Sequence, residues 1–502
     1  MKIVIDLQAC QSSANGQRGI GRYSMMLARA MAELAQDPGR QHQVHLLLNN
    51  AMADTVGSVA QVFEALVPQN RIHVVDTPLG TAEQHAPAGS WRKRAAELVR
   101  EHYLSLLKPD FIHVASHFEG WDDDVVSSVG EVVPPSDMQT AVTLYDLIPL
   151  MRPDVYLTNA KQRDWYYRRL RGIKSADLLL GISEFSAQEA VSILHLPPRQ
   201  VVNISSTIDP VFAPRPIVDE QLAALKSRYG LTRRYVMYTS GIDPRKNIEG
   251  LIDAFGRLPT TIRNAFQLAI VCRVDSGDRE RLLGLASRAG LAGDQVVLTG
   301  FVPDDDLISL YNEATLFVFP SLYEGFGMPV LEAMACGAPV IAADNSSIPE
   351  VVGRADALFD ATRVDLMSAK MAQVLTDENM RLSLGRHGIE RAKLFSWNVS
   401  AGRALDAFEA AHARQGTDSV RIARRAKARR NKLAFFSPLP PDKSGIADYS
   451  SEFLPELTRY YDVDIIAINN VSDPWANGVC RIRTVDWFKR NFREYDRILY
   501  QI

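Results

Sequence analysis

Cysteine is scarce in this chain of 502 residues: Cys10, Cys272, Cys336 and Cys480 are scattered, with no Cys-x-x-Cys pair and no ligand spacing. A disulfide framework or a thiolate metal site is thereby excluded, and the four read as reduced, mostly structural thiols of a cytosolic protein. A dominant charge is lacking as well. The 56 Lys and Arg stand against 59 Asp and Glu, so no overall basic field argues for nucleic acid. Long apolar runs are missing: no uninterrupted stretch approaches the roughly 18–20 residues of a membrane helix. A membrane-borne substrate would have to be met from the surface. The start, Met1-Lys2-Ile3-Val4-Ile5-Asp6, has one basic residue and an apolar run of three before an aspartate. It reads as a buried strand and not as a signal peptide.

What is present is an ordinary globular composition, 46% hydrophobic and 23% charged, over a length that calls for several domains. Short apolar runs alternate with longer amphipathic segments, the pattern of parallel α/β domains. Strands are expected at Lys2–Asp6, Val44–Leu48, Ile72–Asp76, Phe111–Ala115, Gln139–Leu144 and Leu178–Ile182. A second series is expected at Tyr235–Thr239, Gln267–Val271, Val296–Thr299, Leu316–Phe319 and Val340–Ala343. The proline-bearing stretch from Asn203 to Leu231 separates the two as a linker. The expected architecture is α/β: two Rossmann-like domains facing across a cleft, residues 1–205 and 206–395, with function in the loops after the strands. Residues 396–418 form a helical return to the first domain.

A basic run follows, Arg421, Arg424, Arg425, Lys427, Arg429, Arg430 and Lys432. It reads as a solvated linker over 419–432, with contact to anionic lipid as the alternative. Residues 433–502 then open a partial third Rossmann-like segment. Ser444-Gly445-Ile446-Ala447-Asp448-Tyr449-Ser450 repeats the Gly-Ile-x-x-Tyr-Ser of Arg18-Gly19-Ile20-Gly21-Arg22-Tyr23-Ser24, each after a first strand, so the segment reads as the start of a second copy. Its last residues, Tyr500-Gln501-Ile502, read as lying inside a strand. The segment either packs on the first unit or is the stump of a longer two-enzyme protein.

Three constellations carry chemistry. In the first, the strand Leu316–Phe319 leads into Pro320-Ser321-Leu322-Tyr323-Glu324-Gly325-Phe326-Gly327-Met328-Pro329-Val330-Leu331-Glu332 and a helix that Gly337 suits as a cap. Backbone N–H groups at such a helix start favour a diphosphate, and Gly325 and Gly327 permit close approach. Glu324 and Glu332 suit the hydroxyls of a polyol-rich ligand; a glutamate that only complements the helix dipole is the plainer reading of Glu332. The second constellation is Thr239-Ser240-Gly241-Ile242-Asp243-Pro244-Arg245-Lys246-Asn247. Two cations before a helix oppose its dipole unless an anion lies between them, and fixed cations stabilise a departing nucleoside diphosphate. The third is Gly16-Gln17-Arg18-Gly19-Ile20-Gly21-Arg22-Tyr23. It lacks the third glycine and the acidic partner of a dinucleotide fingerprint, which disfavours NAD. Gly19 and Gly21 serve close approach or simply a turn.

Other clusters have plainer readings. Asp122-Asp123-Asp124 and Asp304-Asp305-Asp306 read as caps of N-termini, since no partner ligands accompany them. Trp165-Tyr166-Tyr167-Arg168-Arg169-Leu170-Arg171 reads as an amphipathic helix with solvated arginines, or as a lipid contact.

As a set, Glu324 and Glu332 eight positions apart around Gly-Phe-Gly, Ala338-Pro339-Val340-Ile341, Ser346 to Gly353, and Phe395-Ser396-Trp397 resemble the retaining glycosyltransferases of family 4, which have the GT-B fold. The resemblance covers roughly residues 1–413. It implies that Glu324 contacts the transferred sugar and Glu332 the ribose. The backbone of Phe326, Gly327, Met328, Pro329 and Val330 would hold sugar and phosphates. Arg245 and Lys246 would face the leaving diphosphate. Some relatives carry the arginine near the position of Gly241, so Arg245 departs from that pattern. Where the family often has His-Asp, this chain has Tyr145-Asp146; His117 is the candidate substitute for the sugar contact, and Asp146 is expected to hold its loop. The implied function is transfer of a sugar from a nucleoside-diphosphate sugar, GDP-mannose being the expected donor, to a glycan or lipid-linked acceptor in polysaccharide assembly. No metal and no obligatory cofactor are expected. The expected place is the cytoplasm, with a peripheral contact at the inner membrane face left open. A phosphorylase or hydrolase, and a degenerate glycan-binding scaffold, are the rival readings.

Overall fold

A computed structural model of the chain describes residues 1–13, 16, 19–85, 91–129, 138–415, 431–467 and 480–501. It divides into two compact units, the first taking most of residues 1–410 and the second residues 411–502.

The first unit contains two parallel sheets. In the first sheet, β1 (Lys2–Asp6), β2 (Gln43–Asn49), β3 (Ile72–Val75), β4 (Phe111–Val114), β5 (Gln139–Leu144), β6 (Leu178–Gly181) and β7 (Val201–Asn203) lie in the order 3-2-1-4-5-6-7. Ile3 is flanked by Val44 and Phe111, so the first strand lies inside the sheet with Ile3, Val4 and Ile5 enclosed. The helices that matter below are α1 (Gly19–Leu34), α2 (Trp91–Leu107), α3 (Ala160–Ser175) and α4 (Glu184–Ser192). β7 was not expected; its three half-buried residues sit where the linker reading began. The rest of that stretch carries a helix, Asp219–Arg228.

The second sheet comprises β8 (Arg234–Thr239), β9 (Phe266–Val271), β10 (Val296–Leu298), β11 (Leu316–Phe319), β12 (Val340–Ala343) and the unexpected two-residue β13 (Leu358–Phe359), in the order 10-9-8-11-12-13. It is joined by α5 (Ile248–Gly256), α6 (Asp304–Glu313) and α7 (Met328–Ala335). Strand order reverses between β8 and β11, with Leu316 opposite Val236. The loops after these two strands therefore diverge to opposite sides and leave a crevice between them. Those loops hold the first two sequence constellations. A long helix, α8 (Trp397–Gln415), returns to the first sheet: Phe408 stacks on Phe111 with centroids 4.6 Å apart, and Asp406 and Glu409 pair with Arg40.

Several local expectations need correction. Asp122–Asp124 cap no helix. Asp124 accepts N–H groups of Gly80, Thr81 and Ala82, and Asp123 accepts from Ser12 and Val125, pinning loops that have no ladder partners. Asp304–Asp306 do form the first turn of α6 and pair there with Arg22, Arg215 and Arg228. In α3, Arg169 is enclosed and not solvated, 4.0 Å from Glu97, while Trp165 and Tyr166 join the core.

In the second unit, β14 (Asn431–Phe436), β15 (Tyr461–Ala467), β16 (Arg481–Thr484) and β17 (Arg497–Tyr500) form a parallel sheet in the order 16-15-14-17, with α9 (Gly445–Tyr460) after β14. That is the order 3-2-1-4 of the first sheet. One detail recurs with it. The Lys2 N–H donates to the Asp110 carboxylate (2.7 Å) and Asp110 N–H returns to the Lys2 carbonyl (2.9 Å); Lys432 and Asp496 do the same at 2.8 and 2.9 Å. Lys432, expected in a solvated linker, is a buried residue of β14 whose ammonium pairs with Glu494. The preceding basic residues, Arg421 to Arg430, lie outside the described residues, as do Gln17 and Arg18.

Candidate active site

The crevice of the second sheet is built by two short, tightly tied loops. After β8, Asp243 caps a single turn, Pro244–Lys246, by accepting the Arg245 N–H (3.0 Å). Asn247 follows in the left-handed region (φ 56°), its amide donating to the carbonyls of Pro320 and Ala361 (3.2 and 2.9 Å), and α5 begins only then. The turn thus aims Arg245 and Lys246 away from the α5 start and across to the loop after β11. There Glu324 is fixed by its backbone. Its N–H donates to Ser346 Oγ (3.0 Å) and its carbonyl accepts from Ser347 Oγ (2.9 Å).

The three charged side chains meet. Lys246 Nζ lies 2.5 Å from Glu324 Oε1, Arg245 Nη1 lies 3.0 Å from Oε2, and Ser321 Oγ donates to Oε1 at 2.6 Å. Arg245 also donates to the Tyr323 carbonyl (3.0 Å). Lys246 and Glu324 are buried, each 7% exposed. Burial raises the Glu324 carboxyl, but Lys246 and Arg245 outweigh it and hold it below the usual range. Burial likewise lowers the Lys246 ammonium, opposed by Glu324. The anion that adjacent cations require is therefore supplied by Glu324 itself. Two cations share this carboxylate, and Arg245 also lies 3.6 Å from the Asp243 carboxylate.

The glycines have different tasks. At Gly325 a Cβ would run into the Tyr145 carbonyl oxygen, and at Gly19 into Met328 Cε (3.1 Å), so both are points where the two domains touch. Gly327 has φ +98° and starts α7 without a side-chain cap; a Cβ there would lie 2.5 Å from Ile348 Cδ1. Pro329 occupies the first turn of α7, Val330 is buried, and Phe326 is enclosed edge-on against Phe395. Gly241 is exposed with nothing near its Cβ position.

Glu332 stands apart from the cluster. Tyr311 donates to it (2.9 Å), and burial, aided by Asp304, raises its carboxyl to about 7. It lines a cavity of about 530 Å³ with Gly19, Gly21, Arg22, Met328 and Trp397, between the first domain and α7. Arg22, which the sequence reading quoted only as part of a glycine run, spans this region to Asp304 (2.6 Å).

On the first-domain side, Tyr145 Oη is 3.0 Å from Ser24 Oγ and donates to the Ala115 carbonyl, and Asp146 accepts the Ile148 N–H (3.0 Å). His117 does not substitute as a cleft residue: it is 1% exposed, with Nε2 on the Arg169 carbonyl, and burial holds it neutral. Contacts between domains are polar and specific. Ser186 Oγ, which also donates to the Tyr145 carbonyl of its own domain, donates to the Gly325 carbonyl, Tyr156 to Asp243 and Tyr323 to Glu189. The Glu350 carboxylate accepts the Glu184 and Phe185 N–H groups at the start of α4 (2.9 and 3.2 Å). Ser321, Ser346, Ser347 and Tyr311 were not singled out from the sequence. The serines lie within quoted motifs but were given no role there, whereas Tyr311 carries no local signal.

Among known proteins, residues 225–391 match the family model of glycosyl transferases group 1. The chain is 35% identical over 410 residues to the serotype-specific mannosyltransferase WbdA of Escherichia coli, covering 81% of this chain and 48% of WbdA, so it spans about half that relative's length. It is 33% identical over 275 residues to the O-antigen chain mannosyltransferase B of Escherichia coli, covering 55% of this chain and 71% of that one. The solved structure of Anabaena Alr3699/HepE in complex with UDP and glucose superposes with a TM-score of 0.56 at 16% identity, over 82% of this chain and all of the other, which shows the shared two-domain GT-B fold. With the family model seated on the crevice loops and a relative matched over most of its length, the chain belongs to the group 1 glycosyl transferases.

Proposed function

We propose that this chain transfers mannose from GDP-mannose to a hydroxyl of a glycan or lipid-linked oligosaccharide during polysaccharide assembly, with retention at the anomeric carbon. The observation that carries the reading is the buried Arg245–Lys246–Glu324 cluster at the point where the second sheet reverses its strand order. The names of the two mannosyltransferase relatives support the sugar.

The donor's pyrophosphate would take the two cations from Glu324, Arg245 as a fork and Lys246 as a point charge. Glu324, released, would accept from a sugar hydroxyl, and Glu332 from the ribose hydroxyls. As the bond from the anomeric carbon to the phosphate oxygen breaks, charge grows on that oxygen, where the fixed cations stabilise it most. The acceptor oxygen bonds to the same carbon, and its proton passes to the departing phosphate. Tyr145, Asp146 and Gly325 bring the domains together over the reacting atoms and exclude water that would hydrolyse the donor. No metal enters this scheme. Residues 431–501 are read as the opening strands of a second module of the same kind, supported by the shared strand order and the repeated Lys–Asp pair.

The test is a donor panel of GDP-mannose, UDP-glucose, UDP-galactose and UDP-N-acetylglucosamine, with nucleoside diphosphate release and calorimetric binding as readouts. GDP-mannose should be preferred, and Lys246→Ala should weaken turnover at least 100-fold. Binding of no donor, or sugar release that depends only on added phosphate, would overturn the reading.

A further inference from the structure

Helix α2 (Trp91–Leu107) distributes its polarity unusually. Four of its charged residues, Lys93, Glu97, Arg100 and Glu101, are at most 6% exposed and turned inward. Arg100 donates to Asp6 and to the Ser128 carbonyl, and Lys93 reaches the Val125 carbonyl. Leu104 joins the core, with Tyr103 and Leu107 packed against it, but an apolar set faces out: Trp91 is 72% exposed, Leu98 49% and Leu106 65%, with Val99 at 39% beside them. A helix that covers a core shows the opposite pattern. Trp91, Leu98 and Leu106 are spaced i, i+7 and i+15, so with Ala95 and His102 between them they make one stripe about 22 Å long. Leu79, 63% exposed, extends it, because a Cβ on the adjoining Gly80 would lie 3.4 Å from Arg92 Nη1.

Charge is sorted along with apolarity. Among the charged and histidine side chains on and just after this helix, Arg92, His102 and Lys108 are exposed, Arg94 and Asp110 are half-buried, and both glutamates are buried. A protein partner of mixed charge gives no reason for that sorting. An anionic bilayer does: tryptophan and leucine enter the boundary between headgroups and acyl chains, and the cations meet the phosphates. We propose that α2 and Leu79 seat the first domain on an anionic lipid surface. This rests on the helix alone and is independent of the reading of the cleft.

The experiment is flotation of the full chain with vesicles of phosphatidylethanolamine and phosphatidylglycerol, against vesicles of phosphatidylcholine alone. Wild type should float with the anionic vesicles only, and less at 0.5 M salt. The variant carrying Trp91→Ser, Leu98→Gln and Leu106→Gln should lose at least tenfold in partition while keeping its thermal midpoint and its affinity for nucleoside diphosphate. Arg92→Glu with Lys108→Glu, which leaves the apolar stripe intact, should lose severalfold, so the test survives if the triple variant folds poorly. The proposal is overturned if wild type stays unbound or if both variants float as wild type does. It is also overturned if no vesicle binding occurs and the triple variant abolishes self-association in sedimentation velocity, which would make the stripe an interface between copies.

Discussion

Replacing Glu324 by glutamine separates the structural from the catalytic use of one carboxylate. Glu324 accepts a hydrogen bond from Lys246 at 2.5 Å and forms an ion pair with Arg245 at 3.0 Å. Its removal leaves buried Lys246 without its carboxylate partner, while Arg245 keeps only Asp243 at 3.6 Å. Uncompensated buried charge costs roughly 3–5 kcal/mol, and the partial exposure of Arg245 places this case near the lower figure. The same bonds must break before a pyrophosphate can take the cations. Each charge-assisted bond is worth about 1.5–3 kcal/mol, partly regained by Glu324 from a sugar hydroxyl, so the bare nucleoside diphosphate bears the loss in full. Glu324→Gln should therefore lower the thermal midpoint of the free chain yet bind GDP about 10–100-fold more tightly, while transfer falls by at least 100-fold. Lys246→Met should behave inversely. It leaves a neutral Arg245–Glu324 pair, so the midpoint should hardly move, while GDP affinity falls. Scanning fluorimetry with and without GDP, followed by calorimetry, measures both quantities. If GDP binds Glu324→Gln no more tightly than wild type, competition between carboxylate and diphosphate is not how this site works.

Gly325→Ala, whose methyl would collide with the Tyr145 carbonyl, should cut kcat/KM at least tenfold, whereas Gly241→Ala, with open space around it, should stay within twofold; steady-state kinetics decides. The Glu332 carboxyl is raised from 4.5 to about 7, so its contribution is complete below pH 4.5 and is lost as pH rises through 7. Thermal midpoints from pH 5 to 8 should fall with pH by an amount that Glu332→Gln reduces, the difference being roughly 2–3 kcal/mol. Arg100→Met strands Asp6 in the interior and should cost about 3–5 kcal/mol in urea unfolding, far more than Arg29→Met at an exposed pair.

The elements that the sequence foretold well are those whose local pattern and tertiary burial agree. Leu316 to Phe319 and Val340 to Ala343 are apolar runs, as is Phe111 to Val114 but for His113, and each is a fully enclosed parallel strand. Leu358–Phe359 and Val201–Asn203 were invisible because two or three residues at a sheet edge carry no periodicity. At the site, the motif spacing brought Glu324 and the cations to notice, but not their direct pairing. That pairing depends on the reversal of strand order between β8 and β11, which no local run reports. The inward turn of Arg100 and Arg169 escaped for a related reason: their partners, Asp6 and Glu97, are remote in sequence, and charged residues on a helix read by default as solvated.

Glu350 gives the two lobes an intrinsic lean. Its carboxylate belongs to the second lobe yet seals the first turn of α4 in the other. Parting the lobes strips a helix of that seal, a loss of about 1 kcal/mol, which favours the shut arrangement roughly fivefold before any sugar nucleotide arrives. Under the proposed function, a donor that enters and a nucleotide that leaves between the lobes would each pass through the unsealed form. The pace of product departure would then be coupled to a single carboxylate some distance from the bond being made.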